Sequence, residues 1–178
     1  MRIIAGSLGG RQFDAPKGHR THPMSDKARG GLFNMLGDIT GLSVLDCFAG
    51  SGALSFEAAS RGAANVIAVD IDASSHVSTN NNIRNLGLKD VVKAIRANVS
   101  SWSDNNANIT FDIVLCDQPY DNVRIELLTK LAKHVEVRGL IIYSLPPDKN
   151  LDLLSTDFSL LATKRYGDAK LVFYRRIS

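Results

Sequence analysis

From Ser43 to Ser144, short apolar or β-branched runs alternate with stretches of helical period. The runs are SVLDCF, NVIAVDI, VVKAIRA, FDIVLCD and GLIIYSL; between them fall ALSFEAASRG, SSHVSTNNNIRNLG and RIELLTKLAKHV. Near-continuous apolar character, rather than strict alternation, is what strands buried on both faces of a parallel sheet require. Strand and helix in turn read as repeated βαβ units. The segment DFSLLATKRYGDAKLVFYRRI then reads as two more strands joined around Tyr166 to Ala169, an antiparallel hairpin that closes the sheet. The expected fold is α/β and Rossmann-like, with a mostly parallel seven-stranded sheet and a C-terminal antiparallel hairpin.

The first 40 residues follow another pattern. RIIAGSLGGRQFDAP reads as a glycine-linked hairpin, and Ser25 caps an expected helix, DKARGGLFNML, with Ala28, Leu32, Met35 and Leu36 on one face. Gly30 and Gly31 weaken that helix intrinsically, so it depends on packing against the main body. Residues 1–40 are therefore expected to form a hairpin and helix appendage to a domain spanning 41–178.

Composition narrows the class. A chain of 178 residues with 44% hydrophobic and 22% charged content suits one domain with a substantial core. Its apolar runs are too short to cross a bilayer and its start lacks a sustained apolar signal region, so a cytoplasmic location is expected. Cys47 and Cys116 end apolar runs and lack ligand spacing, which points to buried, reduced thiols and no metal. The net charge is only +3, but it is uneven. Residues 1–34 carry six Lys/Arg against two Asp, residues 35–163 carry ten against fifteen acids, and residues 164–178 carry five against one. Basic ends around an acidic middle suggest a polyanion held beside a site that accepts a cation or small polar cofactor, with solvated surface charge as the alternative.

The chemistry starts where SVLD runs into CFAGSGALSFEAA. Gly50 and Gly52 make a tight turn before a helix, the usual ligand site at the carboxyl ends of strands in an open α/β sheet. The third glycine of the dinucleotide fingerprint is absent, with Ser55 in its place, and no GK[ST] follows. Asp46, just before the turn, would repel a pyrophosphate and suits the ammonium end of S-adenosylmethionine. Asp70 ends the next strand, placed to accept from ribose hydroxyls or, alternatively, to cap a helix. After the third strand, Asn98 either reads an adenine edge, with Val99 and Ile71 covering the ring faces, or is an ordinary turn asparagine.

The fourth strand ends in Asp117-Gln118-Pro119-Tyr120. An exocyclic base amine is a poor nucleophile because its lone pair is delocalised. Accepting its two N–H groups, on the Asp117 carboxylate and the carbonyl of residue 118, would localise and aim that lone pair. Tyr120 would stack on an extruded base and Pro119 would hold the turn. A strand-ending turn without catalytic duty is the alternative.

Taken in order, MRIIAGSLGGRQF, HPMSDKARGGLFNML, DCFAGSGALSFEAASRGA, DIVLCDQPY and RYGDAKLVFY resemble the RsmD family, and the likeness covers nearly the whole chain. The resemblance implies a class I methyltransferase fold, S-adenosylmethionine as cofactor and methylation of a guanine N2 amine in 16S rRNA. It implies cofactor positions at Asp46, Phe48, Ala49, Gly50, Gly52, Asp70 and Asn98, and a catalytic motif at Asp117 to Tyr120. Ser25, Asp26, Arg29 and Asn34 fall on the family's N-terminal element. Three departures stand out: Gln118 replaces a motif proline, which should loosen the turn; His22 replaces an arginine common in the family; and Asp70 replaces a glutamate. Arg2, Arg11, Lys17, Arg20, Lys27 and Arg29, with His19 and His22, are expected to meet RNA phosphates, and Lys164, Arg165, Arg175 and Arg176 to extend that surface. The partner is then 16S rRNA or the small ribosomal subunit, met by a monomer. The alternatives are an adenine-N6 methyltransferase and a ribosome-assembly protein impaired by Gln118.

Overall fold

The computed structural model describes residues 1–18, 23–153 and 157–178, and each apolar run of the sequence is a strand in it. These are β1 (Ser43–Asp46), β2 (Asn65–Asp70), β3 (Val92–Arg96), β4 (Phe111–Cys116), β5 (Val135–Leu145), β6 (Phe158–Tyr166) and β7 (Ala169–Arg176). They form one sheet in the order β3-β2-β1-β4-β5-β7-β6. The first five are parallel, while β7 lies antiparallel between β5 and β6. Val44 and Leu45 are consecutive in β1 and both fully buried, so the sheet is covered on both faces. Strand order reverses at β1 and β4, which opens a crevice at their carboxyl ends.

Helices α1 (Asp26–Leu36), α2 (Ala53–Ser60) and α3 (Ala73–Asn85) contribute to the core on one face. Helices α4 (Val99–Asn105) and α5 (Ile125–Leu131) cover the other, where Trp102, Leu128 and Tyr143 pack. Helix α4 was not expected from the sequence. It is seven residues of mostly Ser and Asn, with no apolar stripe to announce it. Strand β5 starts earlier than GLIIYSL because a bulge intervenes: Phe111 pairs with Val135 but Ile113 with Leu140, and Arg138 turns through a φ of 74°. No helix among the described residues is long and apolar enough to cross a membrane.

The N-terminal hairpin is shorter than expected, with a single antiparallel bridge, Arg2 to Gln12. The ladder stops there because the Ile4 and Ala5 amides turn to the Glu57 carboxylate on α2, at 2.7 and 3.1 Å. Ser60 adds to this fastening, donating to Ala5 O at 2.6 Å and accepting from Leu8 N at 2.9 Å. Further along, Asn82 bonds Asp14 N and O, and Ser74 donates to Lys17 O, so residues 14–17 run along α3 towards its start. Phe13 meets Phe56 edge-on at 5.0 Å.

Ser25 caps α1 as expected, accepting from Ala28 N at 3.1 Å. The buried face differs: Ala28 and Leu32 are inside, but Met35 is 41% exposed, and Arg29 and Phe33 take the interior places. The reason is geometric. Gly31 lies against the Tyr166 ring, where a Cβ would come within 2.3 Å, and this close approach sets the rotation of the helix. The glycine that weakens α1 is what allows it to dock.

Candidate active site

The turn after β1 is clamped between its neighbouring strands. Cys47 N donates to Leu115 O of β4, and Ala49 N to Val69 O of β2, at 2.9 and 3.0 Å. Gly50 and Gly52 hold φ of 51° and 79°, the left-handed region that a side chain resists. At Gly52 a Cβ would also sit 2.8 Å from the Phe56 ring, so both space and torsion demand glycine. Phe48 is half-buried beside this turn and Ala49 is buried.

Asp46 is fully buried at the floor of the crevice. Its Oδ2 accepts from Ser55 Oγ at 2.7 Å, while Oδ1 has no hydrogen-bond partner among the described residues. Burial pushes this carboxyl up to about 7; Ser55 opposes the rise, and the negative charges of Asp117 and Asp70 add to it. Ser55, noted in the sequence only for the glycine it replaces, is thus the partner of the buried acid.

Asp70 ends β2, half-buried. Its Oδ2 accepts from Gly50 N at 2.7 Å and its Oδ1 from Asp72 N at 2.8 Å, and each oxygen retains acceptor capacity. The cap of α3 is Asp72, which accepts from Ser75 N at 2.7 Å, so the capping alternative for Asp70 is filled by its neighbour. Ile71 stands 63% exposed at the rim. Val99, expected to share the covering of a ring, is instead buried in the core next to Trp102. Asn98 caps α4, its Oδ1 accepting from Ser100 N and Ser101 N at 2.9 and 3.3 Å, which leaves its exposed NH2 as the group facing outward.

Asp117 emerges from β4 beside the glycine turn. Burial raises its carboxyl to about 6, against a lowering hydrogen bond from Ser144. Pro119, exposed, starts a single 3-10 turn over Tyr120–Asn122. The Tyr120 hydroxyl lies 2.7 Å from Ser144 Oγ, and burial pushes it up to about 12. Ser144 went unnoticed in the sequence; its one signal was a polar residue just inside the end of an apolar strand.

Gln118 departs from expectation. Its side chain turns inward, 3% exposed, and Oε1 accepts from Arg124 N at 3.3 Å. The turn lacks a proline ring at 118 but gains a tether across residues 118–124. Nε2 has no partner among the described residues, which sets a desolvation cost against that tether.

The basic residues separate into classes. Arg11 and Lys27 are exposed, as are Lys164, Arg165 and Arg175; Arg176 is half-buried. Asn34 is exposed and accepts from Arg61 Nη1 at 3.4 Å. Arg29, expected at the RNA surface, is 1% exposed. Its guanidinium donates to Arg2 O at 2.8 Å, Met24 O at 3.4 Å and the Asp26 carboxylate at 2.9 Å, and lies 3.8 Å from Glu57, so its charge is spent on joining α1 to α2. His19, Arg20 and His22 lie outside the described residues.

Residues 1–175 match the family described as Conserved hypothetical protein 95. The chain is 32% identical over 184 residues to a candidate rRNA methyltransferase, YlbH, of Bacillus subtilis (strain 168), with 99% of each chain covered. It is 30% identical over 183 residues to Ribosomal RNA small subunit methyltransferase D of Escherichia coli (strain K12), covering 99% of this chain and 90% of that one. Among solved structures, a candidate methyltransferase from Escherichia coli, yhhF, is similar with a TM-score of 0.87 and 29% identity, covering 99% of this chain and 98% of that one.

Proposed function

This chain belongs to the RsmD family of rRNA methyltransferases, the family described as Conserved hypothetical protein 95, and from that premise we propose that it methylates the N2 amine of a guanine in 16S rRNA using S-adenosylmethionine. The observation that carries the reading is a pair of acids on adjacent strand ends. Asp46 closes β1 with a buried oxygen that has no hydrogen-bond partner among the described residues, and Asp117 follows β4 at the same rim.

The residues present fit the cofactor. Asp46 Oδ1 would accept from its ammonium, and that positive charge would return the raised carboxyl to its ionised form. Asp70 would accept from the ribose hydroxyls, Ile71 would flank the adenine, and the Asn98 NH2 would meet its edge. The glycine turn, with no side chain at Gly50 or Gly52, lets backbone approach closely. When bound, S-adenosylmethionine supplies an activated methyl group on a sulfonium.

The chain's own work is to prepare the nucleophile. The Asp117 carboxylate and the carbonyl of Gln118 would accept the two N–H groups of the amine, and the Tyr120 ring would hold the extruded base in plane. The Gln118 tether speaks for a held catalytic turn rather than a slack one. RNA phosphates would be met by Arg11, Lys17 and Lys27, with Lys17 carried to the first turn of α3 beside the Asp70 rim.

The test is transfer of labelled methyl to unmodified small ribosomal subunits and to naked 16S RNA, followed by nucleoside digestion and mass spectrometry. N2-methylguanosine is expected, with Asp117→Ala losing about 10²-fold or more in kcat while still binding cofactor. N6-methyladenosine, or no product from a protein that binds cofactor, overturns the reading.

A further inference from the structure

The turn after β4 carries the chain across the rim of the sheet. Tyr120 packs against the core on the α1–α3 face, whereas Val123 packs against the core on the α4–α5 face. The next residue, Arg124, is fixed by its backbone, whose N–H donates to Gln118 Oε1 at 3.3 Å. Its guanidinium is exposed and has no hydrogen-bond or ion-pair partner among the described residues. Beside it lies a cavity of about 500 Å³, lined by Ser100, Arg124, Ile125, Glu126, Leu127 and Lys130. We infer that this cavity is a subsite for the ribonucleotide next to the target guanine, with its phosphate on Arg124, its ribose 2′-OH on Glu126 and its base over Ile125. The inference rests on the rRNA methylation proposed above.

An extruded nucleotide keeps a phosphodiester on each side, so its strand must both enter and leave the site. The cations assigned to phosphates above all belong to one face: Arg11 and Lys17 lie along α3, and Lys27 is on α1. A strand that crosses the catalytic turn leaves over the other face, where Arg124 stands. Lys130, the second cation of the cavity, is already engaged. It pairs with Asp104 at 2.7 Å and donates to Ser100 Oγ and O at 3.0 and 3.3 Å, so it builds the wall between α5 and α4. Arg124 keeps its forked donors for a phosphate. Glu126 is exposed and has no hydrogen-bond partner among the described residues. A carboxylate repels phosphate but accepts from a hydroxyl, and the 2′-OH is the donor that separates RNA from DNA. Ile125, 38% exposed, offers the apolar surface, and Asp121, the other acid of the turn, does not line the cavity. Ser100 also borders the adenine end of the cofactor site, because its N–H donates to Asn98 Oδ1 at 2.9 Å.

Arg124→Ala removes the cation and keeps the backbone N–H that holds Gln118, so the tether of the turn survives. The experiment compares the full-length protein with Arg124→Ala, Glu126→Ala and a control, Lys89→Ala, whose exposed cation precedes β3 at the opposite end of the strands. Binding of unmodified 16S RNA is measured across a range of salt, binding of S-adenosylmethionine by calorimetry, and methyl transfer to reconstituted small ribosomal subunits by steady-state kinetics. Arg124→Ala should weaken RNA binding and raise KM for the subunit about 10-fold, and lower the slope of log K against log salt by about 0.7, with cofactor affinity unchanged. Lys89→Ala should leave all of these near the natural values. Subunits are also rebuilt with a 2′-deoxyribonucleotide immediately 5′ or immediately 3′ of the target guanine. One of the two should raise KM about 5-fold for the natural protein and leave Glu126→Ala unaffected. An Arg124→Ala that behaves like Lys89→Ala overturns the inference. Cofactor affinity that falls in step with RNA affinity also overturns it, because the cavity then serves the adenine. So does a deoxyribose penalty that is missing from the natural protein or persists in Glu126→Ala. If the natural protein yields no methylated guanosine, the functional reading fails, and the RNA-binding measurements still decide whether Arg124 meets a phosphate.

Discussion

Burial makes the ionised form of Asp46 costly in the folded protein, a cost that protonation or a neighbouring cation offsets. Its folded carboxyl, at about 7, lies above the ordinary 3.8, so between those values the native state binds more protons than the unfolded chain. The stability Asp46 contributes is therefore fully present below about pH 4 and lost as pH rises through 7, and Asp117, raised to about 6, acts in the same direction. Asp46→Asn should lose less stability than the natural protein across that window, read as the difference in thermal midpoint between the two at pH 5 and pH 8. A constant difference would refute the assignment. Gln118 makes a second case. Gln118→Met keeps the volume and removes the tether, and kcat should drop about 10-fold with cofactor affinity unchanged; Gln118→Pro should recover most of it by restraining φ. Both are read from steady-state kinetics and cofactor titration. The strand-end acids and the glycine turn were legible because spacing along a βαβ unit fixes them. Ser55 and Ser144 were not, since each matters through a neighbour 9 or 24 residues away. Arg29 misled because a cation in a basic segment reads as surface until its acceptors are placed.

Helix α2 joins the glycine turn at one end to the N-terminal segment at the other. Glu57 is fully buried and serves four donors: the amides of Ile4 and Ala5, Arg61 at 2.8 Å and, at longer range, Arg29. Replacing one oxygen with NH2 sets donor against donor, so Glu57→Gln should destabilise the protein by about 3 kcal/mol. Chemical denaturation measures the loss, and hydrogen exchange at Ile4 and Ala5 should accelerate beyond the global change. At this scale the five parallel strands and the closing hairpin could be read from burial on two faces and from turn residues. The first hairpin was overestimated because its amides go to a side chain 53 residues away, which no local pattern discloses.

Across the whole molecule, charge decides what RNA meets. Removing an exposed cation, as in Arg11→Ala or Lys27→Ala, should weaken RNA binding and lower the slope of log K against log salt by about 0.7 to 0.9 for each phosphate no longer neutralised. Arg29→Met should leave that slope unchanged while lowering the thermal midpoint, because its charge is used inside. Equal slopes in all three variants and the natural protein would place the RNA surface elsewhere. The segmental charge count anticipated a basic surface but could not separate the outward cations from the inward one.

The place of β7 in the sheet bears on how the chain is made. During synthesis β6 emerges before β7, yet β6 sits at the sheet edge with β7 as its neighbour, and β7 lies between β5 and β6. Until the residues of β7 are out, β5 shows a row of unpaired backbone groups, and Leu160 and Leu161, which stay exposed even at the finished edge, have no sheet to belong to. A ribosome pausing between residues 158 and 168 would hold out an open template for strands of other chains. The antiparallel hairpin shortens this exposure, since its pairing needs only residues close in sequence and can form in about 1–10 μs before docking as a unit.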